Sequence, residues 1–146
     1  MDLGSGPGFP AIPIKIVRDD VKMTLVESIH KKTLFLRKLS DVLKLENISV
    51  LDQRAEGLSD QTGLRERFDL VTAKAVGKLR DMVRLGMPFL KADGLLVAYK
   101  GKGAYREVRE INCSENCRIV DIVKIETPSF RLFRWLVIAE KLRPGF

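Results

Sequence analysis

The sequence predicts an α/β fold: a mostly parallel β-sheet covered by helices, with a shortened first strand and an antiparallel C-terminal strand. Three observations carry this. Short apolar runs alternate with segments of helical period along the chain, and strands that alternate with helices close a parallel sheet covered on both faces. The last two runs are separated only by a loop around Pro128, which leaves no room for a crossover helix, so they pair antiparallel at the sheet edge. A cluster of glycines follows the first three residues, where such a sheet turns from its first strand into its first helix.

The elements follow in order. Only residues 1–3 precede the glycines, so they form at most a stub of a strand that belongs in the middle of the sheet. Pro10 and Pro13 suit a helix's first turn, where a missing N–H costs nothing, and place a helix over 11–17. Residues 22–27 read as a short strand. A helix over 29–45 follows from Leu36, Leu39 and Leu43 at i, i+3, i+7, and from Phe35, Leu39 and Val42 at i, i+4, i+7. Strands are expected at 48–51 and 68–73, a helix at 79–90, a turn at Asp93-Gly94, and a buried strand at 95–99. A helix over 105–111 and strands over 118–125 and 135–140 complete the chain. One domain spans 1–146.

Composition bounds the function. At 146 residues and 45% apolar content the chain can bury a core, which excludes a disordered segment. No apolar run approaches the roughly 20 residues of a membrane span, and the opening lacks the features of a secretory signal. The expectation is a soluble cytoplasmic protein that uses no membrane. The net charge of +7 attracts polyanions through counterion release. Cys113 and Cys117 are two thiols far in sequence from the single histidine, His30. A structural zinc site needs four ligands, so no metal is expected.

The sharpest signal is Asp2-Leu3-Gly4-Ser5-Gly6-Pro7-Gly8. The glycines let the backbone turn tightly and let a ligand approach with no Cβ in the way. Dinucleotide folds carry G-x-G-x-x-G for a pyrophosphate. Here the pattern is G-x-G-x-G with an acid two residues before the first glycine, and no G-K-[ST] follows as a phosphate loop demands. S-adenosylmethionine has no phosphate and carries an ammonium that suits a carboxylate such as Asp2. Glu27 closes the next strand, 19 residues past Gly8, where a carboxylate accepts both hydroxyls of a ribose. Loop, acid and spacing together predict the Rossmann-like sheet of S-adenosylmethionine-dependent methyltransferases.

The same residues resemble a known family. The loop with its proline pair, Glu27-Ser28 followed by Lys31-Lys32 and Phe35-Leu36, and Arg54-Ala55-Glu56 are similar to the glucose-inhibited division protein B family. So are Phe68-Asp69-Leu70-Val71 with Ala73-Lys74-Ala75-Val76, Lys100-Gly101, and Arg134 with Leu136-Val137-Ile138. Its members are bacterial methyltransferases of a guanine N7 in 16S ribosomal RNA of the small subunit. The resemblance implies S-adenosylmethionine as cofactor and ribosomal RNA or the small subunit as partner. It implies cofactor contacts from Gly4 and Phe9, with Ala55 and Glu56 beside the adenine. Lys74 stands where the family has an arginine that contacts the cofactor or active site; lysine keeps the charge but loses the planar fork of donors. Members also carry a helical segment and a complete first strand before the glycine loop. The resemblance thus implies that the chain lacks this N-terminal part.

The chemistry needs few side chains. Guanine N7 has a lone pair and no proton, so no general base is required, and alignment with the methyl group is the main task. The full set of expected cofactor contacts is Asp2, Gly4, Gly6, Gly8, Phe9, Glu27, Ala55, Glu56 and Lys74. Lys100 and Lys102 follow the fifth strand, where ligands of parallel sheets bind, and are expected to meet RNA phosphates. Trp135 and Phe133 are expected to pack a terminal strand rather than stack on bases. A small-molecule methyltransferase and an inactive cofactor-binding fragment are the alternative readings.

Overall fold

The computed structural model describes residues 1–61, 63–111, 116–127 and 132–143. The strands are β1 (Asp2–Leu3), β2 (Met23–Glu27), β3 (Ile48–Asp52), β4 (Phe68–Lys74), β5 (Leu90–Lys100), β6 (Cys117–Thr127) and β7 (Leu132–Lys141). The helices are α1 (Ala11–Val17), α2 (His30–Val42), α3 (Leu58–Gln61), α4 (Leu79–Gly86) and α5 (Ala104–Glu110). The strands form one sheet in the order β3-β2-β1-β4-β5-β7-β6. The first five are parallel to one another, whereas β7 is antiparallel to both β5 and β6. The terminal pair occupies the edge as expected, with β7 on its inner side. The connection at Pro128 lies outside the described residues.

The shortened first strand sits between β2 and β4. Asp2 is in register with Leu25 and Thr72, and Leu3 with Val26 and Ala73. The Met1 amine donates to the Leu70 carbonyl at 2.8 Å, and the Met1 carbonyl accepts the Thr72 amide at 2.8 Å. Beyond Met1 a cavity of about 820 Å³ opens, bordered by Met23 and Thr24 of β2 and by Phe68 and Leu70 of β4.

Successive residues of a strand face opposite sides, and β2 shows the result. Leu25 packs with Ala11, Ile12 and Leu36 from α1 and α2. Val26 packs in a second cluster with Leu79, Met82 and Val83 of α4 and with Val71, Leu96 and Val137 of the sheet. The sheet is thus covered on both faces, and its carboxyl-terminal strand ends converge on the loops that follow β1 to β5.

Three sequence expectations change. The inward stripe of α2 is Thr33, Leu36 and Ser40, while Phe35 and Val42 are 51% and 63% exposed. Hydroxyls replace apolar side chains on the inner face because each is satisfied locally: Thr33 donates to the His30 carbonyl at 2.7 Å and Ser40 to the Leu36 carbonyl at 2.8 Å. The helix expected over 79–90 stops at Gly86 and gives way to a 3-10 turn, Met87–Phe89, built around Pro88. The turn at Asp93-Gly94 is a bulge inside a longer β5. Phe68 pairs with Leu90 and Leu70 with Leu95, and Asp93 takes a left-handed φ of 63°.

Candidate active site

The glycine loop leaves β1 in three left-handed steps, at Gly4 (φ 65°), Gly6 (φ 55°) and Gly8 (φ 100°). The Gly4 and Ser5 amides both donate to the Val26 carbonyl, at 2.8 and 3.1 Å, and anchor the loop on β2. The Gly8 carbonyl accepts the Ile12 amide at 2.7 Å and joins the loop to α1. The glycines then divide by what surrounds them. A Cβ on Gly8 would stand 2.6 Å from Ile12 Cγ1 and 3.2 Å from Leu36 Cδ2, so Gly8 is glycine for packing. A Cβ on Gly6 would meet only the Gly4 carbonyl, at 3.9 Å. The open face of Gly6 is a cradle that a ligand can approach.

Glu27 ends β2 and is 6% exposed. Its Oε2 accepts the Gly6 amide at 2.8 Å and its Oε1 accepts the Ile29 amide at 2.9 Å. The acid therefore ties the glycine loop to the start of α2. Each carboxylate oxygen has two acceptor sites, so both keep a site for ligand hydroxyls.

A cavity of about 150 Å³ lies at the carboxyl ends of β1 to β4. It is lined by Gly4, Val26, Ser28, Gln53, Arg54, Ala55, Glu56, Val76 and Leu85. Of the expected contacts, Gly4, Ala55 and Glu56 stand on its wall, with Gly6 and Glu27 beside them in the same bonded loop. Phe9 and Lys74 are both exposed and meet each other outside the cavity lining, with the ammonium 5.5 Å from the ring centre. Gln53 and Leu85 were reached by no motif. The signal for Gln53 was positional: it follows Asp52, which is in register with Glu27, and its amide donates to the Glu27 carbonyl at 3.0 Å.

Asp2 is placed differently from expectation. It is 2% exposed and points away from the pocket wall toward β4, where Oδ1 accepts the Thr72 hydroxyl at 2.6 Å. Its Oδ2 is buried with no hydrogen-bond partner among the described residues. Burial pushes the Asp2 carboxyl above its ordinary value, against the opposing effect of the Thr72 and Ser5 hydroxyls. The carboxylate supports the loop from beneath.

Lys100 is a correction. Its side chain is 9% exposed, and its ammonium donates to the Gly77 carbonyl at 2.9 Å and pairs with Glu107 at 2.8 Å. All of this is directed inward, so Lys100 offers no surface charge to a phosphate. Lys102, two residues on, is exposed in the turn before α5. Trp135 packs against the core and meets Tyr105 of α5 edge to face, with centroids 4.8 Å apart. The Phe133 side chain and Cys113 lie outside the described residues; Cys117 is buried at the start of β6. Among the described residues no group of three or more His, Cys, Asp or Glu side chains is placed to hold a metal, and no helix is long and apolar enough to cross a membrane.

Comparison with known proteins adds to this geometry. The family model described as rRNA small subunit methyltransferase G matches residues 1–132. The chain is 36% identical to ribosomal RNA small subunit methyltransferase G of Caldanaerobacter subterraneus, over 97% of this chain and 60% of that protein. It is 37% identical to the protein of the same name from a Roseiflexus species, over 99% of this chain and 62% of that one. The chain thus spans about three fifths of the length of these curated relatives. Among solved structures it resembles a predicted O-methyltransferase from Agrobacterium tumefaciens, with a TM-score of 0.74 at 22% identity over 98% of this chain and 73% of that one. It also resembles precorrin-6y C5,15-methyltransferase of Geobacter metallireducens, with a TM-score of 0.68 at 15% identity over 97% and 78%. At such identities these two structures speak for the fold alone, the seven-stranded mixed sheet of the methyltransferases.

Proposed function

The chain belongs to the rRNA small subunit methyltransferase G family, and from that premise we propose that it transfers a methyl group from S-adenosylmethionine to N7 of a guanine in 16S ribosomal RNA. The observation that carries this reading is the junction of the open Gly6 face with a carboxylate that already grips the Gly6 amide. The open face of Gly6 admits the cofactor's amino-acid end, Gly4 lines the pocket wall beside it, Glu27 accepts its ribose hydroxyls, and Ala55 and Glu56 flank its adenine. Phe9 and Lys74, which meet each other beyond the glycine loop, reach the cofactor from outside. S-adenosylmethionine supplies an electrophilic methyl group on a sulfonium.

The residues of the chain then do three things. The glycine loop and Glu27 fix one reactant in place, which lowers the entropic cost of an in-line displacement. The apolar walls formed by buried Val26 and Leu85 and half-buried Val76 exclude water. Exposed cations hold the RNA: Lys31 and Lys32 open α2 just beyond Glu27, Arg54 lines the pocket, and Lys102 stands before α5. Phosphate contacts of this kind position a strand without reading its sequence. Guanine N7 takes the methyl group through its lone pair, so the absence of a general base from the proposed scheme costs nothing. A cytoplasmic location fits an RNA partner of this kind.

The test is transfer of labelled methyl to small ribosomal subunits or to their RNA, followed by mapping of the modified base. Label on a purine N7 supports the proposal. Label only on small molecules, with RNA left unmodified, would replace it with the small-molecule reading. Binding of S-adenosylhomocysteine without transfer would reduce it to cofactor binding.

A further inference from the structure

The pair formed by buried Lys100 and half-buried Glu107 has no part in the scheme so far, yet it touches the segment that roofs the pocket. Lys100 ends β5 and Glu107 lies in α5. Besides its contact with Glu107, the Lys100 ammonium donates to the Gly77 carbonyl at 2.9 Å. Glu107 Oε2, 2.8 Å from that ammonium, also accepts the Leu79 amide at 2.5 Å. One pair therefore grips the connection between β4 and α4 at two points, a carbonyl and an amide two residues apart. Burial pushes the Glu107 carboxyl up, but its bonds to Lys100 and to the Leu79 amide outweigh this and hold it below its ordinary value.

The gripped segment is bent and does not hold itself. Ala75 takes a φ of 57° and Gly77 a φ of 116°, two left-handed residues in three, and for alanine that conformation is unfavourable on its own. The bend delivers Val76 against the glycine loop. A Cβ on Gly4 would stand 2.9 Å from Val76 Cγ2, so Val76 fills the space above Gly4 and forms a wall of the pocket with Ser28, Ala55 and Glu56.

We propose that Lys100 and Glu107 are positioning residues for the cofactor: they clamp the 75–78 bend so that Val76 closes over Gly4. The inference rests on the cofactor reading above and deepens it. Lys100 acts through Gly77 and Val76 and meets no RNA.

The experiment compares the wild-type chain with K100M, E107L, the double variant K100M/E107L, and V76G. Three readouts are taken: affinity for S-adenosylhomocysteine by calorimetry, thermal melting, and amide hydrogen exchange across 76–79. Each single variant leaves one charge without its partner, buried Lys100 in E107L and half-buried Glu107 in K100M, and melts early. The double variant removes both charges, so its melting temperature returns to within a few degrees of wild type. Its cofactor affinity nonetheless stays at least tenfold lower, and the Leu79 amide exchanges at least tenfold faster. V76G leaves the pair intact and loses affinity by a similar factor, which keeps the test decisive if the single variants do not fold. A merely structural pair would recover affinity together with stability, and that result would overturn the proposal. Wild-type affinity in V76G would overturn it as well, as would an RNA-binding salt slope reduced by K100M. A wild-type chain that binds no S-adenosylhomocysteine overturns the parent reading, and this inference with it.

Discussion

In a polypeptide that begins at Met1, the free amine offers a handle on stability. It lies in the middle of the sheet, 8% exposed, and donates to the Leu70 carbonyl. Burial pulls its pKa from 8.0 down to about 6, against the opposing pull of the Asp2 and Asp69 carboxylates. The unfolded chain therefore binds more protons than the folded one between pH 8 and pH 6. Stability contributed by the neutral amine is present above pH 8 and is lost as the pH falls to 6. One pKa unit is about 1.4 kcal/mol, so a shift of about two units is worth roughly 2–3 kcal/mol. In a domain of this size that is about 5–10 °C in melting temperature. Acetylating the amine, or placing before it a few residues able to pair with Thr24 and Leu70, removes the titration. The difference in melting temperature between free and blocked chains should therefore grow from pH 8 to pH 6. Taking the difference cancels groups that do not interact with the amine, and leaves the amine together with its coupled neighbours Asp2 and Asp69. A difference that stays constant across this range would refute the burial of the charge.

Other perturbations separate binding from folding. Gly6→Ala places a Cβ in open space at a left-handed φ and should cost about 1–2 kcal/mol of stability while weakening S-adenosylhomocysteine binding at least tenfold by calorimetry. Gly8→Ala, with its Cβ 2.6 Å from Ile12, should instead unfold the chain at markedly lower temperature; the reverse pattern would show that the two glycines have been assigned to the wrong tasks. Glu27→Gln presents an amide donor to one of two backbone N–H groups and should cost about 1–3 kcal/mol in melts, together with a loss of cofactor affinity. RNA binding should fall with salt at a log–log slope of a few units. Neutralising Lys31, Lys32 and Lys102 together should flatten that slope, and an unchanged slope would move the RNA to another face.

Much of the fold was legible because its signals are local. Apolar runs gave the strands of the parallel sheet, and the missing helix between the last two runs gave their antiparallel pairing. The glycine spacing gave a loop, and the distance to Glu27 gave its partner, because a strand-turn-helix-strand unit has a nearly fixed length. Signals failed where one residue type serves two physical purposes. Phe35 and Val42 match the helical period as well as Leu36 does, yet the inner face of α2 takes Thr33 and Ser40. A hydroxyl that bonds its own helix is as acceptable inside as a methyl group, and periodicity does not register that exchange. Gly4, Gly6 and Gly8 look alike in sequence, but only the space around each tells ligand clearance from packing.

Lys100 and Lys102 show the same limit in charge. Both follow β5 in a basic stretch, and composition treats them as equals. What separates them is Glu107, seven residues downstream and one turn of chain away in α5. It supplies the opposite charge that makes burial of an ammonium tolerable. Whether a lysine faces water or a carbonyl is decided by a partner that becomes adjacent only when α5 packs on the end of β5. The buried Lys15, whose ammonium donates to the carbonyls of Asp19 at 2.5 Å and Val21 at 2.7 Å, was hidden for a related reason, since its acceptors are backbone atoms that carry no sequence identity at all. In both cases the ammonium closes a loop: after α1 for Lys15, and before α4 for Lys100. Burial thus separates the two cations at the end of β5: Lys100 holds a loop beside the pocket, and Lys102 faces solvent.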